Sequence, residues 1–169
     1  MPKPPRLAFD PIAEAQRQWD AHGWSDEAPA MAVVTSIMRL QQLFLARADA
    51  VLRPLDLTFA RYEVLMLLTF SSTGTMPLGK IGERLQVNPG SVTNAVNRLE
   101  ASGFVTRRSN PHDGRGTLAA VTAAGRRVAG RATEAMNGQV FADLGLSERE
   151  AGSLFKMLAE LRQSAGDFV

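Results

Sequence analysis

Residues 87–108 read VNPGSVTNAVNRLEASGFVTRR, and this segment has the clearest structural signals in the chain. Near its start stands Asn88, whose side chain can cap a helix, followed by Pro89, which suits the first helical position. The helix that begins there ends at Gly103, a residue type that readily takes the left-handed conformation after a helix. The strand-like run FVTRR follows at once. The stretch therefore predicts a helix that leads directly into a β-strand.

The predicted helix has two different faces. At 100° per residue, Val92, Val96 and Leu99 form one apolar stripe, with Ala95 at its edge. The opposite face consists of Gly90, Asn94, Asn97 and Ala101, flanked by Ser91, Thr93 and Arg98. Asn can hydrogen-bond adenine, Arg guanine and Ser a phosphate, so this face predicts contacts with DNA. An amphipathic core helix with polar decoration is the alternative.

A shorter helix and a hairpin flank this helix. Pro77 suits the first turn of a helix that contains Leu78, Ile81 and Leu85. On the other side, FVTRR and TLAAV have strand character and enclose the polar loop RRSNPHDGRG, residues 107–116. Asn-Pro and Asp-Gly pairs supply the chain reversal in that loop. The pattern predicts a helix-turn-helix followed by a two-stranded wing.

The arginines of this loop have no role in a turn. Arg107 and Arg108 are adjacent in a strand and point to opposite sides, so at most one of them faces a given phosphate track. Arg115 stands at the tip, where a guanidinium can enter a narrow minor groove. Asp113 could aim Arg115 through a charge-assisted hydrogen bond. Alternatively, Asp113 is only a turn residue and Arg115 is solvated.

Helical patterns also precede and follow the helix-turn-helix. A short helix within the Pro-rich first thirty residues would place Ile12 and Trp19 on one face. The remaining predicted helices span Met31 to Arg53, with a broad apolar face; Thr58, as cap, to Phe70; Thr122, as cap, to Leu144; and Ser147, in a capping box with Glu150, to about Gly166. The expected fold class is mainly α with a two-stranded β wing.

Charge and composition restrict the function. The net charge of +2 is uneven, because Lys80 to Arg131 holds nine Lys or Arg and only three acids. A basic centre between acidic ends fits a polyanionic partner, although a solvated charged surface gives the same pattern. The chain has no cysteine, which excludes thiol chemistry and disulfides. No apolar run approaches a membrane span and no signal peptide is evident, so a cytoplasmic protein without a membrane partner is expected.

Two segments, VNPGSVTNAVNRLEASGFVTRR and DGRGTLAAVTAAGRR, resemble the MarR family of winged helix-turn-helix transcriptional regulators. The resemblance runs from about Met31 to the C-terminus and includes a wing Asp-x-Arg and a Thr-x-x-Gly helix start. It implies a sequence-specific DNA-binding regulator, expected to be a repressor, that binds a pseudo-palindromic operator as a homodimer. The implied organisation is a DNA-binding lobe over residues 58–122, dimerisation helices over 31–57 and 123–169, and an N-terminal extension over 1–30.

The resemblance also implies roles for individual residues. Ser91, Thr93, Asn94 and Asn97 would face bases or phosphates in the major groove, and Arg115 the minor groove. The full predicted DNA-binding set comprises these five residues together with Arg98, Arg107, Arg108 and Asp113.

The N-terminal extension resembles that of a subgroup that responds to urate or related anionic metabolites. The matching ligand-binding positions are Trp19, Glu63, Arg98 and Arg115, with Glu63 in place of the usual Asp. Two arginines could hold an anionic or phenolic effector while an indole covers it, and DNA would then be released. Alternatively, Trp19 is a core anchor and Arg98 a phosphate contact, and neither needs a ligand.

Two other classes of function fit the sequence less well. An enzyme has little support, because His22 and His112 are the only imidazoles and Glu63 has no obvious nucleophile or second carboxylate beside it. There is also no Gly-rich phosphate loop at a strand–helix junction. No enzymatic activity, metal or cofactor is therefore predicted. A winged-helix protein-interaction module that does not bind DNA stays the alternative.

Overall fold

The structure, a computed structural model, describes residues 7–110, 113–142 and 144–169, and only the backbone of residues 113–115. The described chain divides between Arg47 and Ala48 into two compact units. Its elements are α1 Pro11–Ala21, α2 Ala28–Leu52, α3 Phe59–Phe70, β1 Thr75–Pro77, α4 Leu78–Leu85, α5 Pro89–Ala101, β2 Val105–Asn110, β3 Asp113–Val121, α6 Ala123–Met136 and α7 Glu148–Ser164. A 3-10 turn, Arg53–Leu55, follows α2, and a π-helical turn, Asn137–Phe141, follows α6. The expected class, mainly α with a winged helix-turn-helix, is confirmed.

The first unit contains α1 and most of α2. Asp10 caps α1 by accepting a hydrogen bond from the Ile12 backbone N–H at 2.9 Å. Ile12 and Trp19 both lie half-buried in this helix, as the seven-residue spacing predicts. The second helix begins at Ala28, three residues earlier than the predicted Met31. The hydrophobic periodicity missed that first turn because Ala and Pro give it little signal.

Many large apolar side chains of α2 are exposed in the part of the chain that the structure describes. Eight of these side chains are between 39% and 60% exposed, namely Val33, Val34, Ile37, Met38, Leu40, Leu43, Phe44 and Leu45. The segment Ala28–Leu55 is long and apolar enough to cross a membrane, judged by length and composition only. The expectation that no segment approaches a membrane span therefore needs correction. That expectation was based on uninterrupted apolar runs, whereas the mean hydropathy of this helix is high although polar residues are scattered along it.

The second unit has its core around α3. Val64, Leu65 and Leu68 of this helix are 0–2% exposed, and they share one cluster with the buried stripe of α5 and with Ala132 of α6. Thr58 caps α3 by accepting from the Arg61 N–H at 3.4 Å. The prediction of a central core helix is thereby confirmed, because a helix that is apolar on nearly all sides is stable only when other elements cover it.

The helix-turn-helix forms as the sequence predicts. The first helix, α4, ends at Gln86, which has a left-handed φ of 54°. Asn88 Oδ1 then accepts from the Ser91 N–H at 2.9 Å, with Pro89 in the first helical turn. Pro77, expected inside the first turn of α4, instead precedes that helix at its N-cap position, without a capping hydrogen bond, and ends β1.

The wing differs from the prediction in two ways. First, the sheet has three strands in the order β1-β3-β2, because Thr75 pairs with Ala120. Second, the expected loop over residues 107–116 is largely strand: Arg107 pairs with Ala119 and Asn110 with Asp113. The ladder accommodates this polar run because alternate residues face solvent. Pro111 and His112, predicted to form the turn, lie outside the described residues.

The last two helices begin with side-chain caps, as predicted. Thr122 Oγ1 accepts from the Gly125 N–H at 3.0 Å, and Ser147 forms a capping box with Glu150. The predicted helix to Leu144 ends as an α-helix at Met136 and continues as the π-helical turn. Asp143, within that prediction, lies outside the described residues. No residue of α7 is buried, and Leu154, Phe155, Met157 and Leu161 are strongly exposed.

Candidate nucleic-acid interface

Helix α5 separates its two faces as the sequence predicts. Val92, Val96 and Leu99 are at most 1% exposed and pack into the core of the second unit. Every member of the predicted outward face is exposed: Gly90, Ser91, Thr93, Asn94, Asn97, Arg98 and Ala101. The helix therefore presents a ridge of small and hydrogen-bonding side chains to solvent. Such a ridge can approach the edges of bases in a groove closely.

On one side of this ridge, Arg107 of β2 lies against α5. Its Nη2 donates a hydrogen bond to Asn97 Oδ1 and a weaker one, at 3.4 Å, to the carbonyl oxygen of Thr93. Its Nε lies 3.5 Å from Glu100 Oε2, and its backbone N–H donates to Glu100 Oε1 at 3.0 Å. Arg107 thus connects the wing to the outward face of the helix.

The neighbouring arginine behaves differently. Arg108 is exposed, whereas the side chain of Arg107 is only 31% exposed. The expectation that the two point to opposite sides of the strand is confirmed. Which of them faces DNA was left open by the sequence, and of the two the structure leaves Arg108 with the more accessible charge.

On the other side of the ridge, a cleft of about 720 Å³ separates α5 from the start of α3. Arg98 of α5 and Arg61 of α3 supply its positive charge, and Thr58, Ser91 and Ser102 line it as well. Asp56, at a left-handed φ of 56°, also lines it; its Oδ2 accepts from Ser102 Oγ at 2.6 Å, and its Oδ1 lies 3.8 Å from Arg61 Nη1. Two arginines, hydroxyl groups and a helix N-terminus form a suitable binding site for a phosphate.

The sequence analysis did not single out Arg61, which lines this cleft, and it interpreted Thr58 only as a helix cap. One signal was available. A cation in the first turn of a helix is electrostatically unfavourable, because the N-terminal end of the helix dipole is positive. An arginine at that position, beside a cap that already satisfies the backbone, indicates a second role in binding an anion.

The predicted tip of the wing is only partly described. Asp113 and Arg115 belong to β3, in the strand that pairs with β2. Their side chains lie outside the described residues, so the ion pair expected between them and the minor-groove role of Arg115 stay predictions.

Of the four predicted ligand-binding residues, the structure describes the side chains of Trp19, Glu63 and Arg98. Trp19, in the first unit, packs edge-on against Trp24 with ring centroids 5.3 Å apart, and Trp24 stacks with His22. Arg98, in the second unit, lines the cleft described above, but Glu63 of α3 does not. Glu63 is half-buried, and burial raises the pKa of its carboxyl above the ordinary value. Of these two residues of the second unit, only Arg98 lines the cleft beside α5.

In the part of the chain that the structure describes, no three His, Asp or Glu side chains converge closely enough to hold a metal ion. Arg107 lies on one side of α5, and Arg61 and Arg98 line the cleft on its other side, an arrangement of positive charge that suits an anionic partner.

Comparison with known proteins points to one group of regulators. A sequence profile of the MarR family matches residues 57–117. The structure of Sco5413, a MarR family transcriptional regulator from Streptomyces coelicolor, is 52% identical, with a TM-score of 0.76 over 83% of this chain and 97% of that one. The transcriptional regulator SarZ from Staphylococcus aureus is 29% identical over 63% of this chain and 70% of its own length. These relatives are transcriptional regulators, which is consistent with the expectation from the sequence that this chain is not an enzyme.

Another similar structure contains operator DNA. A mutant MarR from E. coli, complexed with operator DNA, is 23% identical, with a TM-score of 0.72 over 80% of this chain and 96% of that one. At this level of identity the likeness concerns the fold.

Proposed function

Because this chain belongs to the MarR family of DNA-binding transcriptional regulators, we propose that it represses transcription by binding a pseudo-palindromic operator as a homodimer. The observation that carries the proposal is the exposed face of α5 between two arginine-lined flanks. A helix of 13 residues is about 20 Å long and fits the major groove of B-DNA.

Individual roles follow from the position of each side chain. In this proposal Ser91, Thr93, Asn94 and Asn97 face bases or phosphates in the major groove. Arg61 and Arg98 hold a phosphate of the backbone at the cleft beside α5. Two charges lie further along the wing: Arg108 contacts a phosphate and Arg115, aimed by Asp113, enters the minor groove.

The exposed apolar side chains of α2 support the homodimer. A monomer rarely leaves so many large apolar residues uncovered on one helix, and a second copy would cover them. The same helix is apolar enough to cross a membrane. In a cytoplasmic regulator that binds DNA, however, its apolar residues would be covered by the helix of a partner and not by a lipid bilayer. We therefore assign dimerisation to residues 31–57 and 123–169, DNA binding to 58–122 and an accessory role to the extension over 1–30.

We further propose that a small anionic or phenolic effector releases the DNA. Arg98 and Arg115 would serve both the phosphate backbone and the effector, so the two ligands would compete for the same charges. Trp19 and Glu63 complete the proposed set, as in regulators that respond to urate or related metabolites. The half-buried carboxyl of Glu63 supports this role. Burying an acid destabilises the fold, so a half-buried carboxyl suggests a function other than keeping the surface soluble.

Selection from random duplex oligonucleotides with the full chain tests the proposed DNA binding. We expect one inverted repeat with half-site centres about one helical turn apart. Affinity for that site should fall steeply between about 50 and 200 mM salt, because each phosphate contact releases counterions. Absence of an enriched site, together with salt-independent behaviour, would favour the protein-interaction module instead.

Two additions to the selection test the regulation. In vitro transcription from a promoter that carries the selected site should decrease when the protein is added, and an increase would contradict repression. Adding urate, a tricarboxylic acid or a phenolic acid should weaken binding in at least one case. If none of these classes changes the affinity for the selected site, the proposed effector is wrong although DNA binding stands.

A further inference from the structure

We propose that the carboxylate of Asp56 opposes the DNA phosphate in the cleft beside α5 and so limits how tightly this protein holds DNA of any sequence. The inference rests on the proposed function, because that function places a backbone phosphate between Arg61 and Arg98. It gives Asp56 a role in setting the affinity of the interface, although an acid is not an expected neighbour of a phosphate.

Asp56 is the only acid among the described residues that line this cleft, whose other charges are Arg61 and Arg98. The side chain of Asp56 is 68% exposed, so its carboxylate is accessible to a molecule that enters the cleft. A phosphate bound between the two arginines would therefore lie close to a second negative charge.

Two contacts hold the carboxylate of Asp56 in the cleft. Its Oδ2 accepts a hydrogen bond from Ser102 Oγ at 2.6 Å, and its Oδ1 lies 3.8 Å from Arg61 Nη1. Ser102 is the C-cap residue of α5, whereas Arg61 lies in the first turn of α3. Because its two oxygens contact the two helices that form the cleft, the negative charge stays between those helices.

The opposition to DNA comes from charge and not from occupied hydrogen-bond donors. A guanidinium has five N–H donors, so Arg61 can contact Asp56 and a phosphate at the same time. Two negative charges a short distance apart nevertheless repel each other, and more strongly where protein replaces part of the water. Every DNA sequence carries the same phosphates, so the repulsion lowers the affinity without changing the preferred bases.

The backbone conformation of Asp56 allows its charge to be removed without loss of the local structure. Its φ is 56°, in the left-handed region that Asn and Gly also adopt readily. The side-chain oxygen of Asn can accept the hydrogen bond from Ser102, as the carboxylate does. Asp56→Asn is therefore a test of the charge alone.

The experiment measures the affinity of the full chain for the selected operator by fluorescence anisotropy at about 50 and 200 mM salt. We expect Asp56→Asn to bind at least about three-fold more tightly than the wild type at the lower salt concentration. The gain should be smaller at the higher concentration, because salt screens the repulsion between accessible charges. The base profile obtained by selection should be unchanged.

Glu134→Gln is the matched control for Asp56→Asn. Glu134 is exposed on α6 and does not line the cleft, so the substitution removes an equal charge from another part of the second unit. We expect it to change the affinity by less than about two-fold, because salt screens a charge that is distant from the phosphate.

Four outcomes decide the matter. If Asp56→Asn weakens binding, Asp56 supports the arginines and the inference is wrong. It is also wrong if Asp56→Asn leaves the affinity unchanged, or if Glu134→Gln gives an equal gain, since only the net charge would then matter. If the wild type selects no operator, the proposed function itself fails, and the inference with it.

A second variant covers the case in which Asp56→Asn does not fold. Asp56→Gly places at this position the residue that adopts a left-handed φ most readily, and it removes the carboxylate together with both of its contacts. We expect this variant to bind the operator more tightly than the wild type as well. A folded Asp56→Gly protein without that gain would overturn the inference.

Discussion

Helices α5 and α2 use their apolar residues in opposite ways. In α5, Val92, Val96 and Leu99 are at most 1% exposed, and only the polar face meets solvent. In α2, which is about twice as long, eight large apolar side chains stay substantially exposed. The apolar stripe of α5 packs into the core of the second unit, whereas the large apolar side chains of α2 remain exposed. The contrast agrees with the roles proposed above, DNA recognition for α5 and dimerisation for α2.

The largest expected effect concerns the exposed apolar face of α2. Phe44→Glu places a charge on the apolar face of α2, and burial of an unpaired charge in an interface is strongly unfavourable. We expect the dimer dissociation constant to rise at least about 100-fold, equivalent to about 2.8 kcal/mol. Light scattering coupled to size-exclusion chromatography should then report the 18.3 kDa chain instead of twice that mass.

Ala46→Glu is the matched control for Phe44→Glu. Position 46 is exposed and lies about 200° away from Phe44 around the helix axis. The same charge there should leave the mass at that of the dimer. Dissociation by Ala46→Glu, or a dimer that survives Phe44→Glu, would contradict the assignment of this face of α2 to the partner.

The next effect tests the packing that holds α5 and the wing together. A Cβ on Gly125 would overlap the carbonyl oxygen of Phe104, which is backbone and cannot move away cheaply. Gly125→Ala should therefore lower the free energy of unfolding by about 1–3 kcal/mol, measured by urea denaturation. Gly130→Ala in the same helix meets nothing within 4 Å and should instead raise it by about 0.5–1 kcal/mol. Equal effects of the two substitutions would show that the approach to Phe104 is not as close as described.

A smaller effect concerns the cleft beside α5. Arg61→Ala removes one of its two arginines, and we expect the affinity for the selected operator to fall about tenfold with a salt slope reduced by about one. Arg17→Ala removes an equal charge from α1, where Arg17 pairs with Glu14. Fluorescence anisotropy at several salt concentrations distinguishes the two variants. Equal losses for both would indicate that only the net charge matters.

The smallest effect concerns Glu63. Burial raises its pKa, so the protonated carboxyl is favoured in the folded state and stability falls as the pH rises from the unfolded pKa through the folded one. Glu63→Gln should raise Tm by a few degrees at most at pH 7, and the difference should vanish near pH 4.

Glu150→Gln provides a control of opposite sign for Glu63→Gln. Hydrogen bonds from Ser147 lower the pKa of Glu150, so its carboxylate stabilises the fold above the unfolded pKa and that stability is lost as the pH falls. This variant should have a lower Tm than the wild type at pH 7. A Tm for Glu63→Gln below that of the wild type at pH 7 would mean that Glu63 has a stabilising partner.

Local sequence determined most of the fold. Caps at Thr58, Asn88, Thr122 and Ser147 mark helix starts, because each supplies an acceptor that backbone N–H groups otherwise lack. The three-residue and four-residue spacing of apolar residues likewise predicted which side of α5 is buried. These signals act between neighbours in the chain, so they can be read without knowledge of distant contacts.

Long-range contacts decided what the sequence could not. Strand β1 exists because Thr75 meets Ala120, 45 residues further along, and three residues have too weak a pattern to predict a strand. The cleft that joins Arg61 to Arg98 and the contact of Arg107 with Asn97 have the same origin. The helix-turn-helix and the chemistry of its outward face could be read from the sequence. The placement of Arg107 against Asn97, with Arg108 exposed, came from the tertiary structure, because it depends on side chains from different elements meeting in space.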